Sequence, residues 1–324
     1  MLEVLRVTFP FFALVLCGYL AARRGFLPLE AIPGLNGFVL FFALPCMLFR
    51  FGASTPIAQL LDPGVFFTYL VCALIMVAYA VAISLNARIR WKDTALGALV
   101  AAFPNTGFMG VPLLVALLGQ AAAGPTIVTI LVDMVITSSL CLALAELDAA
   151  DEHGVSVALR KALLGILKNP MPWAILAGAF FSWQSLELAA PVARTVGLLA
   201  DAASPVALFT IGAVLARSRL LAHERPHGPL RVLDYWPVAL TKLLVHPLVV
   251  WLVALTARDW GVPLSSFSIT VMVLVAALPS ASNVSLLAER LGADNGRIAR
   301  IILVTTALAF LTFSGAVALL RPTH

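Results

Sequence analysis

The feature that most limits how this chain folds is an apolar run with a proline at its centre. Residues 98–120 read A-L-V-A-A-F-P-N-T-G-F-M-G-V-P-L-L-V-A-L-L-G-Q. A helix needs about 20 apolar residues to cross the hydrocarbon core, and this run supplies them. Pro104 sits in its middle, has no N–H to donate, and crowds the preceding turn with its ring, so the helix breaks there. Asn105, Thr106, Gly107 and Gly110 follow. Those residue types tolerate irregular backbone and offer hydrogen bonds. At membrane depth a break is tolerated only where protein or a water-filled cavity takes up the freed backbone groups. A second stretch, 268–291, contains V-L-V-A-A-L-P-S-A-S-N-V-S-L-L-A, with Pro279 followed by Ser280, Ser282 and Asn283. Two interrupted spans in corresponding positions of two halves point to the binding site of a transporter.

Composition supports a membrane class. The 324 residues are 61% hydrophobic and 11% charged, against about a quarter charged in soluble proteins. The net charge is +5, but the basic residues lie between the apolar runs. They therefore read as orientation signals, and no nucleic-acid partner is expected. Cys17, Cys46, Cys72 and Cys141 all fall inside the runs without metal-ligand spacing, so neither a disulfide framework nor a metal or other cofactor is expected. Arg23 and Arg24 follow the first run, where a cleaved signal would carry its charge ahead of it. The first run therefore reads as a retained span.

The fold class expected is an all-α polytopic membrane protein of ten spans. They lie at about 2–22, 33–51, 64–85, 98–120, 125–147, 170–186, 191–216, 236–256, 268–291 and 297–320. Links after the first, third, fifth, seventh and ninth spans hold 15 of the 21 basic residues, whereas the opposite links hold only Arg194 and Arg258. The positive-inside rule then places both termini outside, in the inner membrane of a cell. Split five and five, the halves 1–147 and 170–324, joined by a cytoplasmic segment 148–169, have opposite orientation. Pro45 and Pro205 fall in the second span of each half, Pro104 and Pro279 in the fourth. Order and charge together describe an inverted repeat. Pro10, Pro45 and Pro205 read as kinks in packed helices.

Beyond each break a new half-helix begins, with unpaired N–H groups and partial positive charge at its start. In an inverted repeat the two starts converge near the midplane and form a site for an anion such as a carboxylate. Each dipole end contributes about 0.3–1 kcal/mol, up to about 2 when partly buried. Amide and hydroxyl donors from Asn105, Thr106, Ser280, Ser282 and Asn283 complete the candidate substrate site. Pro104, Gly107 and Pro279 form the breaks themselves.

The opening F-P-F-F-A-L-V-L-C-G-Y-L-A-A-R-R-G-F-L resembles the auxin efflux carrier family, as do L-N-G-F-V-L-F-F-A-L-P, F-P-N-T-G-F-M-G-V-P and A-L-P-S-A-S-N-V-S-L-L-A-E-R-L-G-A-D. The resemblance covers essentially the whole chain. It implies ten spans in two inverted five-helix repeats, a crossover of two broken helices, and a scaffold-and-transport-domain arrangement, often as a homodimer. Plant members export the carboxylate auxin; bacterial members similar to this chain are usually read as malonate or malate permeases. The family's crossover prolines match Pro104 and Pro279, and its crossover asparagine matches Asn105. In the second motif Ser280 follows the proline and Asn283 comes three positions later, a departure from the pattern. The chain also lacks the long cytoplasmic insert of many plant members.

Ionisable residues inside spans are costly and mark pathways, relays or partners. Asp133, Asp201 and Lys242 are the candidates for coupling transport to a proton or sodium ion, with Asp201 and Lys242 also read as a mutual pair. Lys242 is alternatively an attractor for the anion. Arg50, near a span end, is expected to reach for headgroups. Of five histidines only His246 falls within a span, and no catalytic constellation is apparent, so an enzyme is not expected. None of the four lysines follows a glycine, which removes a nucleotide-binding P-loop. The expected function is secondary transport of a small organic anion across the bilayer by alternating access. The alternatives are a membrane-embedded sensor on a transporter-like scaffold and a carrier of an auxin-like monocarboxylate.

Overall fold

A computed structural model describes residues 2–60, 62–85, 88–146, 170–221 and 231–320. The expected connecting segment 148–169 lies outside them, and a helix begins at Pro170. Among the described residues every named element is helical, and seven helices are long and apolar enough to cross a membrane. The helices are α1 (Leu2–Arg23), α2 (Leu29–Ser54), α3 (Pro63–Ser84), α4 (Trp91–Ala102), α5 (Thr106–Leu118) and α6 (Gln120–Glu146). After the connecting segment come α7 (Pro170–Trp183), α8 (Ala190–Leu221), α9 (Trp236–Asp259), α10 (Ser266–Ala276), α11 (Asn283–Arg290) and α12 (Asn295–Leu320). The seven long ones are α1, α2, α3, α6, α8, α9 and α12. Where the sequence suggests a fourth and a ninth span, the helix is broken into α4 with α5 and α10 with α11. At 1.5 Å per residue, the 12 residues of α4 reach only about 18 Å, roughly half a crossing.

Local chemistry sets several of these boundaries. Asp62 caps α3, its carboxylate accepting from the Val65 N–H at 3.1 Å, with Pro63 at the first helical position. Ser265 caps α10 in the same way, accepting from the Ser268 N–H at 2.9 Å. Gly119 ends α5 at φ 84° and returns its N–H to the Val115 carbonyl.

Widened π-type turns recur, and three of the four among the described residues have one cause. Val39–Ala43, Thr106–Gly110 and Thr241–Val245 each end two residues before a proline, namely Pro45, Pro112 and Pro247. A proline in a helix lacks the N–H of its turn and its ring collides with the carbonyl four residues back. Adding one residue to that turn moves the carbonyl aside, so the helix continues past the ring. The fourth turn, Val132–Thr137, has no proline after it and carries Asp133.

Helix packing is closest where glycines meet backbone. α1 lies against α8, and α2 against α7. A Cβ at Gly18 would strike the Phe209 carbonyl, and one at Gly212 the Val15 carbonyl. Such backbone contact is how membrane helices gain dispersion energy in a solvent as apolar as they are. Elsewhere Arg297, only 2% exposed, ties three segments together. Its guanidinium donates to the Asp93 carbonyl at 2.8 Å and the Asp234 carbonyl at 2.6 Å. Gly97 leaves room for it, since a Cβ there would stand 2.7 Å from Nη1. The sequence counts Arg297 among the orientation charges of the link after the ninth span; the fold buries it.

Candidate functional site

The two interruptions meet. Pro104 and Ser280 form an antiparallel bridge, with the Asn105 N–H donating to the Pro279 carbonyl at 2.8 Å and the Ala281 N–H to the Phe103 carbonyl at 3.0 Å. The Thr106 N–H turns back to the Pro104 carbonyl at 2.8 Å. Asn105 between them has φ −78° and ψ 52°, the geometry of an inverse γ-turn. Each break thereby satisfies backbone groups that the other exposes, which membrane depth demands. The Ser280 N–H is held separately by Thr305 Oγ1 at 3.3 Å.

Beside the bridge lies a small cavity of about 20 Å³, lined by Pro104, Asn105, Gly107 and Asn283 together with apolar side chains, among them Ile130, Met134 and Met171. That volume suits about one water molecule. A dicarboxylate enters only if the lining moves. Asn105 is 4% exposed, and its side-chain amide has no hydrogen bond to protein among the described residues. Among the described residues no charged side chain lines the cavity.

The sequence candidates therefore divide. Asn105, Gly107, Pro104 and Asn283 share the cavity. Thr106, Ser280 and Ser282 are buried close by in the chain but do not line it. The Thr106 hydroxyl faces the Pro104 carbonyl at 3.5 Å, and Ser280 Oγ is buried without a partner among the described residues. Pro279 contributes its carbonyl to the bridge.

The charged candidates form two unrelated sets. Asp201 does not pair with Lys242. It meets Arg50 at 2.7 Å, with both side chains substantially exposed, so Arg50 is committed to a carboxylate as well. The expected Asp201–Lys242 pair does not form: the fold brings Arg50 of α2 to the exposed Asp201 of α8, whereas Lys242 is buried against His246 and the Ala276 carbonyl. Asp133 and Lys242, by contrast, are fully buried. The Tyr69 hydroxyl donates to Asp133 Oδ2 at 3.0 Å and the Thr137 hydroxyl to Oδ1 at 3.1 Å. The Ser138 hydroxyl donates to the Asp133 carbonyl at 2.9 Å, occupying an acceptor in the widened turn. Lys242 Nζ lies 2.8 Å from His246 Nδ1 and donates to the Ala276 carbonyl at 2.9 Å. The Tyr69 and His246 rings stand 6.4 Å apart, closing the cluster. Sequence reasoning missed Tyr69. Its position on a mostly apolar α3 is a weak signal until a partner is known.

Comparison with known proteins places this geometry in context. The profile described as "Membrane transport protein" matches residues 4–317. A protein of Rhizobium meliloti (strain 1021) named as a candidate malonate transporter is 29% identical over 326 residues, covering 99% of this chain and 97% of that one. The uncharacterized transporter YfdV of Escherichia coli (strain K12) is 25% identical over 295 residues, 87% of this chain and 86% of its own. An uncharacterized transporter of Methanothermobacter thermautotrophicus is 26% identical over 303 residues, 92% of each chain.

Proposed function

The chain belongs to the membrane transport protein family, and from that premise we propose that it is a secondary transporter of a small organic anion, malonate or malate in class, working by alternating access. It is a multi-pass membrane protein of all-helical build. The observation that carries the reading is the meeting of the two broken helices around a cavity with two amides, Asn105 and Asn283. Amide donors and helix starts suit a carboxylate. The similarity to the candidate malonate transporter supports the choice of dicarboxylate.

The finer architecture is part of the proposal: ten spans in two inverted repeats, 1–147 and 170–324, in an inner membrane with both termini outside, and assembly as a homodimer. The crossing of the two interruptions and the charge pattern of the links support it. In this scheme the elements carrying the crossing move against a scaffold, and Asn105 faces each side in turn. Thr106, Ser280 and Ser282 stand behind the cavity and enter the site when its lining rearranges.

The test is uptake of labelled malonate into proteoliposomes under an imposed proton or sodium gradient, with unlabelled malate, succinate and indole-3-acetate as competitors. Saturable uptake blocked by the dicarboxylates is the expected result. Block by indole-3-acetate alone would shift the cargo to an auxin-like monocarboxylate. Folded protein that neither takes up nor exchanges any of them would refute carboxylate transport and favour sensing on a transporter-like scaffold.

A further inference from the structure

The cavity offers an anion the amides of Asn105 and Asn283 but, among the described residues, no charged side chain. Partial charges alone leave a carboxylate poorly compensated in a low-dielectric interior. The buried cation placed to help is Lys242. Its ammonium holds the Ala276 carbonyl, three residues ahead of Pro279, and so sits behind the second break. The buried anion placed to oppose it is Asp133, on a turn whose neighbours Ile130 and Met134 line the cavity. Tyr69, which donates to Asp133, stands 6.4 Å ring to ring from His246, which Lys242 contacts, yet no direct ion pair joins Asp133 and Lys242 among the described residues. Resting on the transport reading above, we propose that Asp133 and Lys242 form a proton-controlled counter-ion site. In the empty carrier Asp133 neutralises Lys242. When the anion arrives Asp133 takes a proton, and Lys242 balances one negative charge of the cargo.

The surroundings of Asp133 suit both states. Each carboxylate oxygen accepts from a hydroxyl, Tyr69 on one and Thr137 on the other. A hydroxyl can donate or accept, so one of the two can turn to receive the new O–H while the other goes on donating to the carbonyl oxygen of the acid. The proton comes from water on the loading side, forms one O–H bond on the Asp133 carboxylate, and returns to water on the release side. The titratable groups facing the pair from the packed helices are Tyr69 and Cys72 on α3, Cys141 on α6, and His246 on α9; α10 contributes the Ala276 carbonyl. The widened turn at Asp133 fits a functional role, because no proline requires it and such turns gather at functional sites.

The experiment uses full-length protein in proteoliposomes and labelled malonate. Wild type accumulates malonate when the outside is acidified. Asp133→Asn imitates the protonated carboxyl permanently, so Lys242 stays free for the anion. This variant keeps exchanging labelled for unlabelled malonate but loses gradient-driven accumulation by about tenfold or more. Lys242→Met raises the half-saturating malonate concentration about thirtyfold or more. Should Asp133→Asn fail to fold, a pH-sensitive dye in wild-type vesicles gives the answer. Acidification of the lumen during net uptake, and none during exchange, supports the proposal. Accumulation by Asp133→Asn equal to wild type, an unchanged half-saturation in Lys242→Met, net uptake without acidification, or accumulation driven by sodium alone would overturn it. A wild type that neither accumulates nor exchanges malonate or its competitors removes the transport reading itself, an outcome separate from all of these.

Discussion

Replacing Asn105 with alanine isolates the ligand-facing part of the crossing. The bond that Asn105 makes across the interruption uses its main-chain N–H, to the Pro279 carbonyl at 2.8 Å. Alanine keeps that N–H and accepts the backbone angles of φ −78° and ψ 52°. The amide that is lost lines the cavity and has no protein partner among the described residues, so its removal strands no buried group. Stability should therefore change by less than about 1 kcal/mol. Binding should change far more. A hydrogen bond to a charged group contributes about 1.5–3 kcal/mol, which corresponds to about a 10- to 150-fold weaker hold on a carboxylate. The assay pairs half-saturation for malonate exchange in proteoliposomes with thermal unfolding in detergent. Unchanged half-saturation in a folded variant would refute the assignment of the amide to the anion. A variant that unfolds would refute it differently, by making the side chain part of the scaffold.

Four further outcomes follow from the geometry. Asp201→Asn should leave malonate uptake within about twofold of wild type, because its partner Arg50 is exposed and such pairs contribute about 0–1 kcal/mol; a loss of ion dependence would return Asp201 to the coupling path. Arg297→Met removes donors from the Asp93 and Asp234 carbonyls, and the unfolding midpoint should drop by an amount equivalent to about 3–5 kcal/mol. An unaltered midpoint would mean that water replaces the guanidinium. Gly212→Leu drives a side chain into the Val15 carbonyl and should yield protein that fails to migrate as a single species on size exclusion, whereas Gly315→Leu, with open space at its Cβ position, should not. Tyr69→Phe removes one of the two hydroxyl donors on Asp133 and should alter the pH profile of net uptake while sparing exchange; an identical profile would make Tyr69 a packing residue.

The parts of this structure that could be read in the sequence are those written by local chemistry. Pro104 and Pro279 announce their breaks because a missing N–H acts on the very turn that holds it. The apolar runs likewise state their own environment. What the sequence hides are encounters between distant segments. Nothing local says that Tyr69, in a helix of apolar neighbours, reaches Asp133 across 64 positions, or that Asp201 finds Arg50 instead of Lys242. Arg297 looks like any other orientation charge until Gly97 makes room for it. The candidate site divides along the same line. Residues adjacent to the prolines were legible, but which of them face the cavity depends on the γ-turn at Asn105 and the rotation of each half-helix after its break.

The prolines at the crossing do more than end helices, for they also limit its registry. Two N–H···O bonds join the interruptions, and neither direction offers a third. The next rung on one side would need an N–H from Pro279, which has none. On the other it would need that of Phe103, already given to the Leu99 carbonyl at 2.9 Å. A two-residue slip of the pairing toward the start of the second segment meets Pro279 again as a donor that does not exist. The contact is thus self-terminating. It is sheet-like for the length of a single bridge, leaves no open edge inside the bilayer for another chain to extend, and holds Asn105 opposite Pro279 and Phe103 opposite Ala281.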